Sequence, residues 1–176
     1  LAMLAPLLVL AQPASAQMEN FGPGPVFEDF GPIAPVQQDE PLTADAAFTI
    51  AFDAAKQADP DKINRTIESA ARFINMHVNA GVKPENIRLA IVVHGGASTD
   101  LTNQAFFAAR REGRENASAA AIAQLQDHGV EFHLCGQSAA AHGITSADLL
   151  PGVKMSLSAM TAHALLQQQG FTLNPI

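Results

Sequence analysis

Hydrophobic residues alternate with polar or small residues at the start of a long patterned stretch of the chain. Phe48, Ile50 and Phe52 recur at every second position, which predicts a strand with one buried face. The apolar, β-branched run Ile87–Val93 predicts a strand that is covered on both faces. Shorter apolar runs predict further strands at 130–134, 153–157 and 171–173. The pattern therefore predicts five strands.

Segments with helical spacing of apolar residues separate these strands. Asp59 and Pro60 mark the predicted start of the first helix, which runs to Gly81. Further helices are predicted at 99–111, 118–128, 138–142 and 161–169. Because strands and helices alternate, the chain predicts an α/β fold with a mostly parallel sheet between helices. In such sheets, binding and catalytic residues collect at the carboxyl ends of the strands.

The first sixteen residues have the pattern of a secretory signal peptide. Residues 1–10 are almost wholly apolar, and Pro13 precedes the small residues Ala14, Ser15 and Ala16. We expect cleavage after Ala16, export to the periplasm, and no membrane segment in the mature chain. The alternative is a buried apolar strand or helix at this end of the chain.

Residues 17–46 form a segment rich in proline and glycine. Its proline density excludes a helix or a central strand. Its aromatic residues Phe21, Phe27 and Phe30 are spaced as if to dock on a surface. Two interpretations stay open: an extended arm that wraps its own domain or a neighbouring subunit, and a disordered tether. Residues 47–176 form the predicted α/β domain.

Composition narrows the classes of function. A chain of 176 residues with 48% hydrophobic and 15% charged residues is typical of one globular domain. The 10 Lys and Arg residues against 17 Asp and Glu give a net charge of −7, which argues against nucleic acid as a partner. A single cysteine excludes a disulfide or a four-cysteine zinc site built from this chain alone. No cofactor is predicted.

Cys135 is the strongest candidate for chemistry. It lies where a predicted strand ends and a helix begins, so we expect backbone N–H groups of Gly136, Gln137 and Ser138 to point at its sulfur. This environment favours the thiolate, which is the nucleophilic form of cysteine. The alternative is a buried cysteine with only a packing role.

A second candidate group follows the strand Ile87–Val93. His94 is the candidate for proton transfer beside Cys135, and its alternative is a structural histidine at the edge of the sheet. Gly95 and Gly96 allow close approach of an anion or a small ligand.

Other polar residues contribute less to the prediction. His133 shares a strand face with Cys135, but two side chains do not make a metal site, and no metal is predicted. Ser158 is expected to cap the helix that follows it. His77 and His163 are expected to be surface or groove residues of helices. The predicted ligand-binding residues are Gly95, Gly96, Gly136, Gln137, Ser138 and Ser158.

Several segments together resemble the DsrE/DsrF-like family, in particular its exported members. They are H-G-G-A at 94–97, G-V-E-F-H-L-C-G-Q-S-A at 129–139, D-L-L-P-G-V-K at 148–154, S-L-S-A-M-T-A at 156–162 and Q-G-F at 169–171. The resemblance implies a three-layer α/β/α fold with a mainly parallel five-stranded sheet. It also implies homo-oligomers, often trimers or hexamers. In the sulfur-relay members, a cysteine at the position of Cys135 carries sulfane sulfur as a persulfide.

Residues and resemblance together predict a periplasmic sulfur carrier, with sulfurtransferase-type activity through a persulfide on Cys135. The sequence leaves open whether the chain is an enzyme. Sulfur donors and acceptors are expected to be proteins or small thiols, because one cysteine cannot release its own adduct as an intramolecular disulfide. Two alternatives stay open: an oligomeric module that binds a small ligand beside a packed Cys135, and a thiol redox sensor.

Overall fold

The computed structural model describes residues 19–175, and the signal peptide predicted at 1–16 lies outside the described residues. A five-stranded sheet forms the centre of the chain. Its strands are β1 (Phe48–Ala54), β2 (Ile87–Val93), β3 (Glu131–Cys135), β4 (Lys154–Ser156) and β5 (Thr172–Asn174). Their order is β4-β3-β2-β1-β5, and each neighbouring pair is parallel. The predicted α/β fold with a five-stranded sheet is therefore confirmed.

Helices cover both faces of this sheet. They are α1 (Arg65–Asn79), α2 (Gln104–Arg110), α3 (Ala119–Asp127), α4 (Gly136–His142) and α5 (Ala159–Gln168). Buried apolar side chains of α1 and α3 pack with β1, β2 and β3 in the main core. On the other face, Ala162 and Leu166 of α5 pack against Ala51, Ala90 and Val92. Within residues 19–175, no helix has the length and apolar character needed to cross a membrane.

Two predicted helix boundaries are wrong. The first turn of α1 follows Asn64, whose side chain caps the helix, and not Asp59. The segment predicted as one helix over 99–111 is divided, because the 3-10 helix Gly95–Leu101 ends before Asn103 caps α2. In both places an asparagine oxygen satisfies a free N–H group of the first turn, and this cap sets where the helix begins.

The proline-rich arm packs on its own subunit. Phe27, Phe30 and Ile33 are buried, and the two phenylalanines belong to the main core. Gly22 and Ile33 exchange backbone hydrogen bonds of 2.8 and 2.9 Å, which closes this part of the arm into a loop. The interpretation as an arm that wraps its own domain therefore describes residues 22–33.

Asn75 of α1 is the anchor of the arm. Its side chain is buried, and its Oδ1 accepts hydrogen bonds from Val26 N at 3.1 Å and Phe27 N at 2.9 Å. Its Nδ2 donates to Phe27 O at 3.0 Å and Gly31 O at 2.9 Å. One amide thus satisfies backbone groups that would otherwise be buried without partners.

Replacing Asn75 with alanine is expected to lower the free energy of unfolding by about 2–4 kcal/mol, because buried backbone groups of the arm lose their partners. Urea unfolding measures this loss, and limited proteolysis measures release of the arm. Asn79→Ala is the matched control, since Asn79 is exposed at the end of the same helix. Equal stability of the two variants would contradict the anchoring role.

A buried carboxyl group ties the loop after β1 to the start of α1. Asp100 is 1% exposed, and its Oδ2 accepts hydrogen bonds from Asn64 Nδ2 at 2.7 Å and Ala58 N at 2.9 Å. Burial raises the pKa of this carboxyl group, and the hydrogen bond from Asn64 opposes that rise only in part. Asp100 thereby fixes the loop that leaves the carboxyl end of β1.

Candidate functional site

The carboxyl ends of β2 and β3 place two predicted site residues side by side. Val93 and Leu134 are paired in the parallel register, and both belong to the main core under α1 and α3. Because side chains alternate between the faces of a strand, the next residues, His94 and Cys135, point to the face that α5 covers. His94 N continues the ladder by donating to Ala54 O at 2.9 Å. The sheet therefore brings His94 and Cys135 onto one face of neighbouring strands.

Cys135 ends β3 and immediately precedes α4, with 6% of its surface exposed. Burial raises the pKa of its thiol. Hydrogen bonding from the groups around the sulfur outweighs burial, so that the net pKa lies below the ordinary value. The donors are the Ser138 hydroxyl and the backbone N–H groups of Ser138, Ala159 and Gln137. The starts of α4 and α5 thus converge on one sulfur atom, and both favour its thiolate.

Ser138 joins this sulfur to the loop after β2. Its Oγ accepts a hydrogen bond from Gly95 N at 2.9 Å, and its side chain lowers the pKa of the Cys135 thiol. A serine hydroxyl has one donor hydrogen and two acceptor lone pairs, so it can accept from Gly95 N and donate to a thiolate at the same time. Ser138 is therefore a side chain that both positions the loop and stabilises the thiolate.

Gly136 is required for the approach of the β4–α5 connection. A Cβ atom at this position would lie 2.6 Å from Ser156 O and 3.2 Å from Leu157 O, so a side chain would displace the connection. Gln137 Nε2 donates to Leu157 O at 3.3 Å and holds the same segment. This close approach brings Ala159 N–H within reach of Cys135.

Ser158 caps α5, as its sequence position predicts. Its Oγ accepts a hydrogen bond from Thr161 N at 3.0 Å, and the residue is buried. The cap fixes the first turn of α5, to which Ala159 belongs. Ser158 therefore contributes to the cysteine environment through the helix that it caps.

Gly95 and Gly96 contact the loop after β1. Gly95 has φ +54°, a left-handed conformation that favours glycine, and its Cβ would lie 3.3 Å from Ala55 O. A Cβ at Gly96 would lie 3.6 Å from Gln57 Cβ. The space that these glycines leave is occupied by residues 55–57 of the same chain.

Asp53 is a site residue that the sequence reasoning missed. It lies near the carboxyl end of β1, and its two carboxylate oxygens hold two histidines. Oδ2 is 3.0 Å from His94 Nε2, and Oδ1 is 2.8 Å from His163 Nε2. Burial raises the pKa of Asp53, but the hydrogen bonds from both histidines outweigh burial and lower it. The charged residue near the end of a mostly apolar strand is the signal that could have indicated Asp53.

His163 is packed against the sheet, with its side chain 15% exposed. His133, two residues before Cys135, lies 3.4 Å from Ser156 Oγ through Nδ1 and 3.5 Å from Glu131 Oε2 through Nε2. Burial lowers the pKa of His133, and the nearby charge of Lys154 lowers it further. Within residues 19–175, no group of three or more His, Cys, Asp and Glu side chains is arranged to hold a metal ion.

Large apolar side chains are exposed in and after β4. Cys135 is paired with Ser156 of β4, and the neighbours of Ser156 along the chain are Met155 and Leu157. Leu157 is 72% exposed and Met160, at the start of α5, is 80% exposed. Exposed large apolar side chains within one short segment are compatible with a surface that contacts another molecule.

Comparison with curated proteins finds no match. Solved structures of similar fold include the following two. MTH1491, a protein of unknown function from Methanobacterium thermoautotrophicum, matches with a TM-score of 0.53 and 19% sequence identity over 73% of this chain and 99% of its own. The YchN protein from E. coli matches with a TM-score of 0.53 and 16% identity over the same shares.

The family comparison covers most of the sequence. The model of the DsrE/DsrF-like family matches residues 46–175, a range that includes all five strands and Cys135. With this match, the chain belongs to the DsrE/DsrF-like family.

Proposed function

We propose that this chain is a sulfur carrier that accepts sulfane sulfur on Cys135 as a persulfide. The observation that carries the proposal is the place of Cys135 at the end of β3 and directly before α4. There, hydrogen bonding by Ser138 and by nearby backbone N–H groups lowers the pKa of the thiol. The thiolate is the form that attacks the outer sulfur of a persulfide, and a lowered pKa increases the fraction of Cys135 in this form. The same donors stabilise the negative charge of the persulfide that results.

The transfer is balanced without a change in net oxidation state. The Cys135 thiolate attacks the terminal sulfur of a low-molecular-weight persulfide R–S–SH, a new Sγ–S bond forms, and the bond to the R–S sulfur breaks. The electron pair of the broken bond leaves with R–S⁻, which takes up a proton. This chain has one cysteine, so an external thiol or an acceptor protein must remove the sulfur.

A second candidate function has one observation in its favour. Cys135 is 6% exposed, and a buried cysteine is typical of a packed structural residue. In that case the site is a binding module for a small ligand. Alkylation of the native protein at neutral pH distinguishes the two: rapid labelling supports a reactive thiolate, and labelling only after unfolding supports the binding module.

Mass spectrometry of the intact protein tests the proposed function. The reduced protein is exposed to a low-molecular-weight persulfide, and Cys135→Ser is treated in parallel. We expect the wild type alone to gain the mass of one or more sulfur atoms and to lose it again to added thiol. Sulfur uptake by folded Cys135→Ser, or no uptake by the folded wild type, would contradict the proposal.

Exposed apolar side chains offer a surface for self-association. We propose that Met155, Leu157 and Met160 contact another copy of the chain. A homotrimer or homohexamer in the periplasm remains our proposal for the assembly and its compartment. Sedimentation of the mature protein measures the assembly, and fractionation of cells measures the compartment.

A further inference from the structure

Asp53 joins three elements of the fold through one carboxylate. It belongs to β1, its Oδ2 holds the histidine that follows β2, and its Oδ1 holds a histidine of α5. The two distances, 3.0 Å to His94 Nε2 and 2.8 Å to His163 Nε2, are both within the range of charge-assisted hydrogen bonds. Each carboxylate oxygen is thus hydrogen-bonded to a different imidazole ring.

The chemistry of a carboxylate determines the tautomers of the two histidines. An ionised Asp53 has no donor hydrogen, so both Nε2 atoms must carry hydrogen and donate it. In a neutral imidazole, the other ring nitrogen then has a free lone pair. His163 Nδ1 is buried and has no hydrogen-bond partner among residues 19–175, which agrees with a lone pair at that atom.

His94 follows β2 at the level where Cys135 ends the neighbouring β3. The two residues directly follow the paired residues Val93 and Leu134, and their side chains point to the same face. Neighbouring strands lie about 4.8 Å apart. Since Nε2 of His94 is bonded to Asp53, the atom left for proton transfer is Nδ1.

We propose that Asp53 is a positioning residue for sulfur transfer: it holds His94 in the tautomer with hydrogen on Nε2, so that Nδ1 accepts and returns the proton at the Cys135 site. The inference rests on the proposed function. His94 Nδ1 takes the proton of the Cys135 thiol, and after the S–S bond breaks it returns that proton to the leaving R–S⁻. His163 occupies the second oxygen of Asp53 and prevents the carboxylate from turning away.

Other titratable groups surround this arrangement. His133 and Cys135 face it from β3, and burial and the charge of Lys154 lower the pKa of His133. From the loop after β1, Lys56 lines a cavity together with Asp53. A test must therefore distinguish the loss of the hydrogen bonds of Asp53 from a general change of charge near the site.

Nitrogen-15 NMR of the imidazole rings tests the tautomers directly. In the wild type we expect His94 and His163 both to carry hydrogen on Nε2, with assignments from His94→Gln and His163→Gln. In Asp53→Asn the amide has one acceptor oxygen and one donor NH₂ group, so one of the two rings must move its hydrogen to Nδ1. Unchanged tautomers in folded Asp53→Asn would overturn the inference.

Sulfur uptake kinetics test the effect on the reaction. We expect Asp53→Asn to slow uptake at pH 7 by about tenfold or more, because the variant loses an oriented group for proton transfer. The final amount of sulfur bound is expected to be unchanged. Asp53→Glu, which keeps the carboxylate, is expected to recover part of the rate. Asp59→Asn, an exposed carboxylate in the adjoining loop, is the matched control and is expected to keep the wild-type rate.

A double variant shows whether Asp53 acts through His94. His94→Gln is expected to lose the same factor in rate as Asp53→Asn, and the combination of both is expected to lose no more than either. Multiplied losses in the combination would overturn the inference, and His94→Gln with its wild-type rate would do so even if Asp53→Asn did not fold. No sulfur uptake by the wild type would instead contradict the proposed function, while the NMR result would still decide the tautomers.

Discussion

Ser138→Ala is expected to raise the pKa of the Cys135 thiol and to slow its alkylation at pH 7 by about tenfold or more, because a hydrogen bond to a charged group contributes about 1.5–3 kcal/mol. The wild-type thiol has a lowered pKa, so it remains a thiolate at a lower pH than an ordinary cysteine. When the hydroxyl donor is removed, the inflection of rate against pH moves to higher pH.

The measurement is the pH dependence of alkylation of the native protein. Ser146→Ala is the control, since Ser146 is exposed in a 3-10 helix away from the sulfur. Ser138 also accepts a hydrogen bond from Gly95 N at 2.9 Å, so urea unfolding must accompany the kinetics. An inflection at the wild-type pH in a folded Ser138→Ala protein would show that the hydroxyl does not stabilise the thiolate.

Gly136→Val is expected to cost about 3 kcal/mol of stability or more and to remove most of the reactivity of Cys135. A Cβ at this position would lie 2.6 Å from Ser156 O, which is a backbone atom and cannot move aside as a flexible side chain could. The β4–α5 connection must therefore move outward. This movement takes Ala159 N–H away from the sulfur and leaves the thiolate with fewer donors.

Urea unfolding and alkylation rates measure the two effects of Gly136→Val. Gly22→Ala is the matched control, because no atom lies within 4 Å of a Cβ placed at Gly22. We expect the control to match the wild type in reactivity. A Gly136→Val protein with wild-type stability and a wild-type alkylation rate would show that the close approach of the two segments is unnecessary.

The sequence predicts the layers of this fold better than it predicts the partners within the site. Alternation of apolar residues located β1 and apolar runs located the other four strands, because burial leaves a local pattern in the sequence. The start of α1 was misplaced, because Asp59 and Pro60 look like a helix start while Asn64 has the capping contacts. These contacts depend on Asp100, 36 residues away, and no local pattern shows them.

The same difference between local patterns and distant contacts applies to the candidate site. Cys135 and its donors in α4 are adjacent in the chain, so the motif indicates them directly. Asp53 and His163 are 110 residues apart, and they meet only because α5 returns across β1 and β2. Composition likewise could not show that the arm docks on its own domain, since this docking depends on the single amide of Asn75.

The docked arm provides a place where a label or a solid surface can be attached to this molecule. Phe21 lies over Arg72 of α1, and the arm is held by that helix, whereas Cys135 and its histidines lie on the face of the sheet under α5. A fluorophore or surface linkage placed at Phe21 therefore sits behind the sheet from the reactive sulfur. Immobilised in this way, the protein turns the α5 face of the sheet away from the anchor, and reactions at Cys135 can be followed on a sensor surface without obstruction from the anchor.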